Sequence, residues 1–257
     1  MKVFLILTAA AAMLAIAGCT TVEGTGRKQL MLSSESEENA EGAKAWKQLL
    51  KTEKRSADAK KNEMLQRVGT RLAKAANKPA FHWEFVVFQS KTPNAFALPG
   101  GYVAVYDSLF EYAANDAELA AVVGHEIGHV LARHGGERMS QSAASDFLGS
   151  LAAVASEAVW AGSGTAASGT YSAASQLGVL LPYSRAQELE ADYLGLMLMA
   201  KAGYDPAAAI KFWEKFGKLG SNSRLEEFFS THPISADRIA ELKKHLPEAE
   251  AIYQKSK

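Results

Sequence analysis

Two histidines that stand four residues apart are the side chains of this sequence best placed to share a metal ion. They are His125 and His129, in the stretch "HEIGHVLARHGG" at residues 125–136, and Glu126 follows the first of them. Residues i and i+4 lie on one face of an α-helix, so both imidazoles can bind the same ion. Glu126 is one step round the helix, where it can act as a general base on water at that ion. The spacing predicts a zinc site; the alternative is a surface helix that carries two histidines.

A second pair of residues supplies carboxylates at the same spacing. A catalytic zinc takes three protein ligands and leaves one position for water. Glu188 and Asp192, in "ELEAD", are i, i+4 neighbours and share one face of a second helix. We expect Glu188 to bind zinc and Asp192 to accept the ring N–H of a ligand histidine. Glu190 points about 200° away from Glu188 and is expected to be exposed to solvent.

Two more histidines lie near these motifs. His134 is nine residues after His125, on the opposite face of a continuous helix. We expect it to lie at the C-terminal end of that helix, where the helix dipole favours it. His232, in "THPISADRI" (231–239), precedes a proline in a loop that enters a helix. It is a candidate donor to the oxyanion formed during peptide hydrolysis; the alternative is that it caps local backbone.

The helices that must carry these residues can be predicted from their start and stop signals. The zinc motif lies in a largely apolar helix that Asn115 or Asp116 can cap and that Gly135–Gly136 should end. Ser184 can cap the second helix, which should end near Gly203.

The rest of the chain predicts a small sheet followed by helices. Ser34 and Glu37 have the spacing of a capping box and open a charged helical region that runs to about residue 76. "FHWEFVVF" (81–88) is predicted to be a strand, and "NAFALPGGYVAVY" (94–106) a strand, a turn and a second strand. Helices should follow to the C-terminus, interrupted at 230–235. The predicted fold class is α+β, mostly α, with a small early β-sheet.

Composition indicates a globular protein and argues against nucleic-acid binding. The 257 residues are 48% hydrophobic and carry 28 basic and 28 acidic side chains. This balance lacks the basic excess that nucleic-acid-binding proteins usually show. The single cysteine, Cys19, excludes an intramolecular disulfide.

The N-terminus predicts export and a membrane anchor. Lys2 is followed by a run, residues 3–17, that is apolar apart from Thr8 and ends in small residues. This is typical of a secretory signal peptide and short for a transmembrane helix. "IAGC" (16–19) resembles a bacterial lipobox, which implies removal of residues 1–18 and lipidation of Cys19. The residue after the cysteine is Thr20 rather than aspartate. By resemblance to bacterial sorting rules, this favours the outer membrane over the inner membrane. The alternative is an ordinary secretory signal.

Three blocks resemble a known family of zinc metallopeptidases. "GHEIGHVLARH", "SRAQELEAD" and "THPISADRI" match the HtpX and CAAX-prenyl-endopeptidase family in order and rough spacing, and "TGRKQL" (25–30) and "NAFALPGGYVAV" are similar to it as well. The resemblance implies a zincin-like (gluzincin) domain with one Zn2+ per subunit. It implies that the ligands are His125, His129 and Glu188, that the catalytic glutamate is Glu126 and that Asp192 supports a ligand. His232 and Arg238 would lie near the transition state.

The same resemblance gives the early sheet a role in binding substrate. An extended edge strand beside the zinc can pair with a peptide backbone, and we expect this edge at Asn94, Ala95, Phe96 and Ala97. The alternative is a strand that only builds the sheet. The predicted organisation is a tether at 19–35 and a metallopeptidase domain at 36–257, and residues 161–180 are a candidate lid over the zinc.

The resulting functional hypothesis is a zinc-dependent endopeptidase of the bacterial cell envelope. Its partners would be unfolded or misassembled envelope polypeptides, outer-membrane proteins and the membrane itself through Cys19, with the domain facing the periplasm. One alternative is an outer-membrane assembly factor or chaperone with a silent or latent metal site. Another is a zinc hydrolase with a substrate other than peptide.

Overall fold

The computed structural model describes residues 18–159, 183–219 and 223–256. These residues form eight α-helices, five short strands and two 3-10 helices, Asp107–Glu111 and Ser223–Leu225. The strands are β1 (Cys19–Thr21), β2 (Lys28–Leu30), β3 (Glu84–Phe88), β4 (Ala95–Leu98) and β5 (Tyr102–Tyr106). The helices are α1 (Glu35–Thr52), α2 (Ala59–Ala76), α3 (Asp116–Leu131), α4 (His134–Val159), α5 (Arg185–Lys201), α6 (Ala207–Gly217), α7 (Glu226–Thr231) and α8 (Ala236–Ser256). The fold is therefore α+β and mostly α, as predicted.

The larger sheet has three strands in the order β3-β5-β4. β3 runs parallel to β5, whereas β4 is antiparallel to β5 and places Ala95 opposite Val105 and Leu98 opposite Tyr102. The predicted strand, turn and strand of residues 94–106 are thus present. Within the described residues β4 pairs on one side only, so it forms an edge of the sheet.

Two helices that cross at glycine positions hold the centre of the molecule together. A Cβ atom on Gly128 of α3 would lie 2.6 Å from the carbonyl oxygen of Ala191 in α5. A Cβ atom on Gly195 would lie 2.8 Å from the backbone of Gly124. The helices can approach this closely only because glycine occupies these positions. Gly128 lies between His125 and His129, so the crossing brings the histidine face of α3 against the carboxylate face of α5.

An apolar core surrounds this crossing and keeps it rigid. Ile127 and Leu196 from the crossing helices are buried in a core that α6 supplies with Phe212 and Phe216. Burial of such side chains contributes about 1.5–3 kcal/mol each. A smaller cluster beneath α1 is centred on Trp46 and covers the outer face of the sheet.

The long helical region predicted between residues 37 and 76 is two helices. The Ser34–Glu37 capping box is present at the start of α1. Residues 53–58 break the helix because their backbone bonds to β3: the N–H of Ser56 donates to the Val87 carbonyl, and the N–H of Gln89 to the Lys54 carbonyl. Asp58 then caps α2. Residues 51–63 carry no large apolar side chain, and the prediction of one helical region overlooked Asp58 as a cap signal.

The zinc-motif helix ends earlier than the glycine pair predicted. Asn115 caps α3 as expected, but the helix stops at Leu131 and α4 begins at His134. The turn between them places Arg133 in the left-handed region, at φ 58°. The guanidinium of Arg133 donates to the buried carboxylate of Glu38 at 2.7 and 3.0 Å, which stabilises this turn. Gly135–Gly136 lie inside α4 and do not end a helix.

The segment interpreted as a tether, residues 19–35, is folded against the domain. β1 and β2 form an antiparallel hairpin in which Cys19 faces Leu30. Val22 and Met31 are buried, and Gly24 and Gly26 make its turn with positive φ angles. Hydrophobic burial therefore holds residues 19–31 of this segment against the domain.

Two predictions fall outside the described residues. They are the signal peptide, of which residues 1–17 are not described, and the candidate lid at 161–180. Of the helices that are described, none combines the length and the apolar character needed to cross a membrane.

Candidate metal centre and active site

Four buried side chains from three parts of the chain point their donor atoms at one place. They are His125 and His129 of α3, Glu188 of α5 and His232, which follows α7. Their candidate ligand atoms all lie within 4.8 Å of one another. α3 and α5 supply their residues from i, i+4 positions, as the sequence predicted, and the loop before α8 brings in His232.

The spacing of these atoms suits a tetrahedral zinc ion. Ligands about 2.0–2.1 Å from zinc at tetrahedral angles stand about 3.3 Å from one another. His129 Nε2 lies 3.1 Å from His125 Nε2 and 3.2 Å from Glu188 Oε1. His232 Nδ1 lies 3.4 Å from His125 Nε2 and 3.1 Å from Glu188 Oε1. Nitrogen and carboxylate oxygen donors are also those that zinc takes at catalytic sites.

The charges of the site favour a divalent cation as well. Glu126, Glu188 and Asp192 are all buried, and Arg238 balances only part of their negative charge. Burial opposes ionisation of Glu188, but the adjacent imidazoles of His125, His129 and His232 outweigh it and hold its pKa well below the usual range. Buried carboxylates of this kind need a cation close by. The residues present therefore fit a zinc ion.

Asp192 and Arg238 lie directly behind His125. Asp192 Oδ1 is 2.9 Å from His125 Nδ1, although the ring N–H is angled away from the ideal hydrogen-bond direction. Arg238 binds both oxygens of Asp192, at 2.6 and 2.7 Å, and also Glu188 Oε2 at 2.6 Å. Arg238 thus contacts the carboxylates from behind. Its predicted place near the transition state stays a prediction.

His134 and Glu190 lie behind His129, where the sequence predicted neither of them. His134 Nδ1 is 2.8 Å from His129 Nδ1, and His134 Nε2 is 2.9 Å from Glu190 Oε2. His134 was expected at a helix end and Glu190 in solvent, but both are buried. The early end of α3 explains the first error, because the turn at Arg133 carries His134 back towards His129. The second arose because the N-terminal hairpin covers the face of α5 that bears Glu190.

Glu126 is positioned as a base. Its side chain is 3% exposed, and burial raises the pKa of its carboxyl group. Its Oε1 atom has no hydrogen-bond partner among the described residues. The ring nitrogen His232 Nε2 lies 3.6 Å from this oxygen. An unpartnered carboxylate oxygen beside the cluster is free to accept a proton from water.

Tyr183 closes one side of the cluster, and reasoning from the sequence missed it. Its ring stacks on His129 with centroids 3.8 Å apart and planes 24° from parallel. The guanidinium carbon of Arg138 lies 3.8 Å from the centre of the Tyr183 ring. The only sequence signal for Tyr183 is that it directly precedes Ser184, the cap of α5.

The edge strand β4 lies beside the cluster. Ala97 lines a cleft together with His129 and Tyr183. Asn94, at the start of the strand, bonds to the adjoining backbone and to Glu227. Ala97, one of the four residues predicted to bind substrate, thus shares a cleft with the candidate ligand His129.

Comparison with known proteins agrees with this geometry. Residues 59–246 match peptidase family M48. The mitochondrial metalloendopeptidase OMA1 of Schizosaccharomyces pombe is 38% identical over 194 residues, which is 75% of this chain and 55% of that protein. The putative beta-barrel assembly-enhancing protease of Vibrio cholerae is 35% identical, over 70% of this chain and 38% of its own length. The beta-barrel assembly-enhancing protease of Escherichia coli K12 is 32% identical, over 70% of this chain and 37% of its own length.

The similarity extends over the whole region that builds the site. The residues matched to the family run from the start of α2 into α8 and include every candidate ligand. The chain spans about half, or less, of the length of these relatives. The predicted family is confirmed: this chain belongs to peptidase family M48 and is a metallopeptidase.

Proposed function

We propose that this protein is a zinc-dependent endopeptidase of the bacterial cell envelope that cleaves unfolded or misassembled envelope proteins. The observation that carries the proposal is the set of buried donors at the spacing of a tetrahedral zinc shell, with the unpartnered carboxylate of Glu126 beside them. His125, His129 and Glu188 would hold the ion. When bound, zinc acts as a Lewis acid that activates water and polarises the scissile carbonyl group.

Glu126 performs the proton transfers of this reaction. Its buried carboxylate accepts a proton from the attacking water and then delivers it to the leaving nitrogen. The raised pKa of the carboxyl group suits both steps, because a base must hold the proton briefly before it releases it.

His232 stabilises the oxyanion that forms on the scissile carbonyl. Its ring lies beside the candidate ligands and the base, with Nδ1 3.1 Å from Glu188 Oε1 and Nε2 3.6 Å from Glu126 Oε1. A donor in this place would be close to the oxygen that gains negative charge. The substrate backbone would pair with β4, whose free edge and Ala97 lie along the cleft.

The envelope location rests on the N-terminal sequence and on the names of two relatives. Cys19 is exposed at the start of β1, where a lipid can be attached. The relatives from Vibrio and Escherichia are named for the assembly of β-barrels, which are the usual fold of outer-membrane proteins. Labelling with palmitate in a bacterial host, followed by membrane fractionation, tests this. We expect label in the outer membrane for the natural chain and none for Cys19→Ser.

Casein cleavage by the mature chain tests the activity. The measurement compares zinc-loaded protein from residue 19 onward, with Cys19→Ser for solubility, against the same protein carrying Glu126→Gln. We expect cleavage to fall by about 10²–10⁴-fold in the variant, since a general base contributes that much. Both proteins should bind equal zinc. Near-normal cleavage by Glu126→Gln would refute the mechanism.

Removal of the metal distinguishes the peptidase hypothesis from the assembly-factor alternative. A chelator should abolish casein cleavage, and added zinc should restore it. A protein that keeps casein soluble equally well with and without metal, and never cuts it, would favour the assembly-factor alternative.

A further inference from the structure

The turn of the N-terminal hairpin is bound to a carboxylate that lies close to the metal centre. Arg27 Nε donates to Glu190 Oε2 at 2.7 Å, and the hydroxyl of Thr25 donates to Glu190 Oε1. Glu190 also lies 2.9 Å from His134, which in turn lies 2.8 Å from His129. An unbroken series of hydrogen bonds thus runs from residues 25–27 to a candidate zinc ligand. The proposed reaction gives these residues no part.

The chemistry of these groups fixes the direction of every hydrogen bond in the series. A carboxylate has no hydrogen to donate, so His134 Nε2 must carry the proton that faces Glu190. A neutral imidazole with a proton on Nε2 has a lone pair on Nδ1. His129 Nδ1 must therefore donate to His134 Nδ1. This leaves the lone pair of His129 on Nε2, the atom that faces Glu188 and His125.

The opposite arrangement is disfavoured by the same contacts. If His129 carried its proton on Nε2, then His134 Nδ1 would have to donate and His134 Nε2 would present a lone pair. That lone pair would face the Glu190 carboxylate at 2.9 Å in a buried place. Two acceptors held at this distance without a proton between them repel each other.

We propose that Glu190 and His134 are positioning residues that keep His129 in the tautomer able to bind metal, and that Thr25 and Arg27 hold Glu190 in place for this purpose. The inference rests on the proposed function, since it concerns a ligand of the zinc. It gives the "TGR" stretch at residues 25–27 a role in the metal centre that lies nearly 100 residues further along the chain. We name Glu190, His134 and His129 the His129 relay.

A matched pair of variants tests the relay. Glu190→Gln removes the charged acceptor of the His134 proton. Glu137→Gln is the control: Glu137 accepts from the same guanidinium, Arg27, at 2.7 Å and from Gln187 at 2.8 Å. Both variants remove a negative charge that Arg27 contacts, but Glu137→Gln leaves the hydrogen bond of Arg27 Nε to Glu190, so only the first alters the relay. The measurement is the dissociation constant of zinc, determined by competition with a chelator on the full mature chain.

We expect Glu190→Gln to bind zinc about 10–100-fold more weakly, the usual effect of losing a group that orients a ligand. Glu137→Gln should bind zinc like the parent protein. Nitrogen-15 NMR of the histidine rings gives a second measure that does not depend on activity. In the parent protein it should show His134 protonated on Nε2, and in Glu190→Gln a mixture of tautomers.

Substitution of His134 tests the next step. His134→Phe leaves the N–H of His129 without an acceptor and should weaken zinc binding as much as Glu190→Gln does. His134→Asn places an amide oxygen near the position of the lost Nδ1 and should restore part of the affinity. Thermal unfolding of the metal-free proteins identifies any variant that fails to fold.

Several results would overturn the relay. They are parent-like zinc affinity in Glu190→Gln, equal losses in Glu190→Gln and Glu137→Gln, or no difference between His134→Phe and His134→Asn. A parent protein that binds no zinc would instead contradict the proposed function, and the relay with it. The two failures are therefore distinguishable.

Discussion

His125 and His129 stand one helical turn apart on α3, yet the groups behind them differ. Behind His125 lies one carboxylate, Asp192, which Arg238 holds with two hydrogen bonds. Behind His129 lies a second histidine, and only then a carboxylate, Glu190. The side chain of Arg238 is 5% exposed, whereas the side chain of Arg27, which holds Glu190, is 28% exposed. We call these groups the His125 side and the His129 side.

The two imidazoles favour different charge states, positive for His125 and neutral for His129. Burial alone would lower the pKa of His125, but the carboxylates of Glu188 and Asp192 outweigh it and raise the pKa to about 9. Burial lowers the pKa of His129 well below its usual value, against the effect of Glu188. Glu188 contacts both rings, and Asp192 adds a second carboxylate only at His125, where the two together favour the imidazolium form, which cannot bind zinc. At His129 the group behind the ring is a histidine, which orients the ring without adding a negative charge in contact with it.

The largest effect should come from removing the cation of the His125 side. Arg238→Leu leaves two buried carboxylates, Asp192 and Glu188, without the guanidinium that each contacts at 2.6 Å. Loss of one partner from a buried ion pair costs about 3–5 kcal/mol. We expect a fall of this size in the free energy of unfolding of the metal-free protein, measured in urea. Excess zinc should recover part of it, because the ion neutralises Glu188. A loss below 1 kcal/mol would show that water already solvates these groups.

Gly128→Ala should affect both sides at once. The new methyl group would lie 2.6 Å from the carbonyl oxygen of Ala191, so α3 and α5 must move apart. Overpacking lowers the free energy of unfolding by roughly 1–3 kcal/mol. We expect a value towards the upper end of this range, because the contacted atom belongs to the backbone and cannot turn aside as a flexible side chain can. Zinc affinity should fall as well, because the ligands come from both helices. A variant that was destabilised but bound zinc normally would show that the site tolerates a wider crossing.

Asp192→Asn and Glu190→Gln together compare the two sides directly. Each replaces one carboxylate by an amide of equal size, and each should weaken zinc binding by about 10–100-fold. The double variant should lose the product of the two effects, because each carboxylate orients a different ring. A double variant no worse than either single one would mean that the two histidines are not positioned independently.

Much of the His125 side could be predicted from the sequence. His125, Glu126 and His129 follow a known spacing, and Glu188 and Asp192 repeat the i, i+4 interval on a second helix. Helix periodicity then requires each pair to share a face. The α+β class, the edge strand β4 and the caps Ser34, Asn115 and Ser184 also followed from local signals.

The His129 side could not be predicted, because it depends on contacts that are distant in the sequence. His134 reaches His129 only because α3 ends at Leu131, and that turn depends on the ion pair between Arg133 and Glu38. Glu190 is buried only because Arg27, more than 160 residues earlier, folds over it. Periodicity places a residue on a face of its own helix, but it does not say which distant segment covers that face.

The smallest effect should come from Arg27→Leu. Glu137 and Glu190 lose the guanidinium that binds them at 2.7 Å, but Arg27 is partly exposed, so water can replace part of what is lost. We expect a loss of about 1–2 kcal/mol in the free energy of unfolding, between the values for buried and surface pairs.

Arg67→Leu is the matched control for this last variant. Arg67 also binds a carboxylate with two hydrogen bonds, to Asp116, but its side chain is 52% exposed and it lies outside the metal centre. Its loss should cost less than about 1 kcal/mol and leave zinc affinity unchanged. Arg27→Leu should weaken zinc binding as well as stability, because Glu190 is then free to turn away from His134. If Arg27→Leu behaves like Arg67→Leu in both measurements, the hairpin only covers the domain, and the His129 side ends at Glu190.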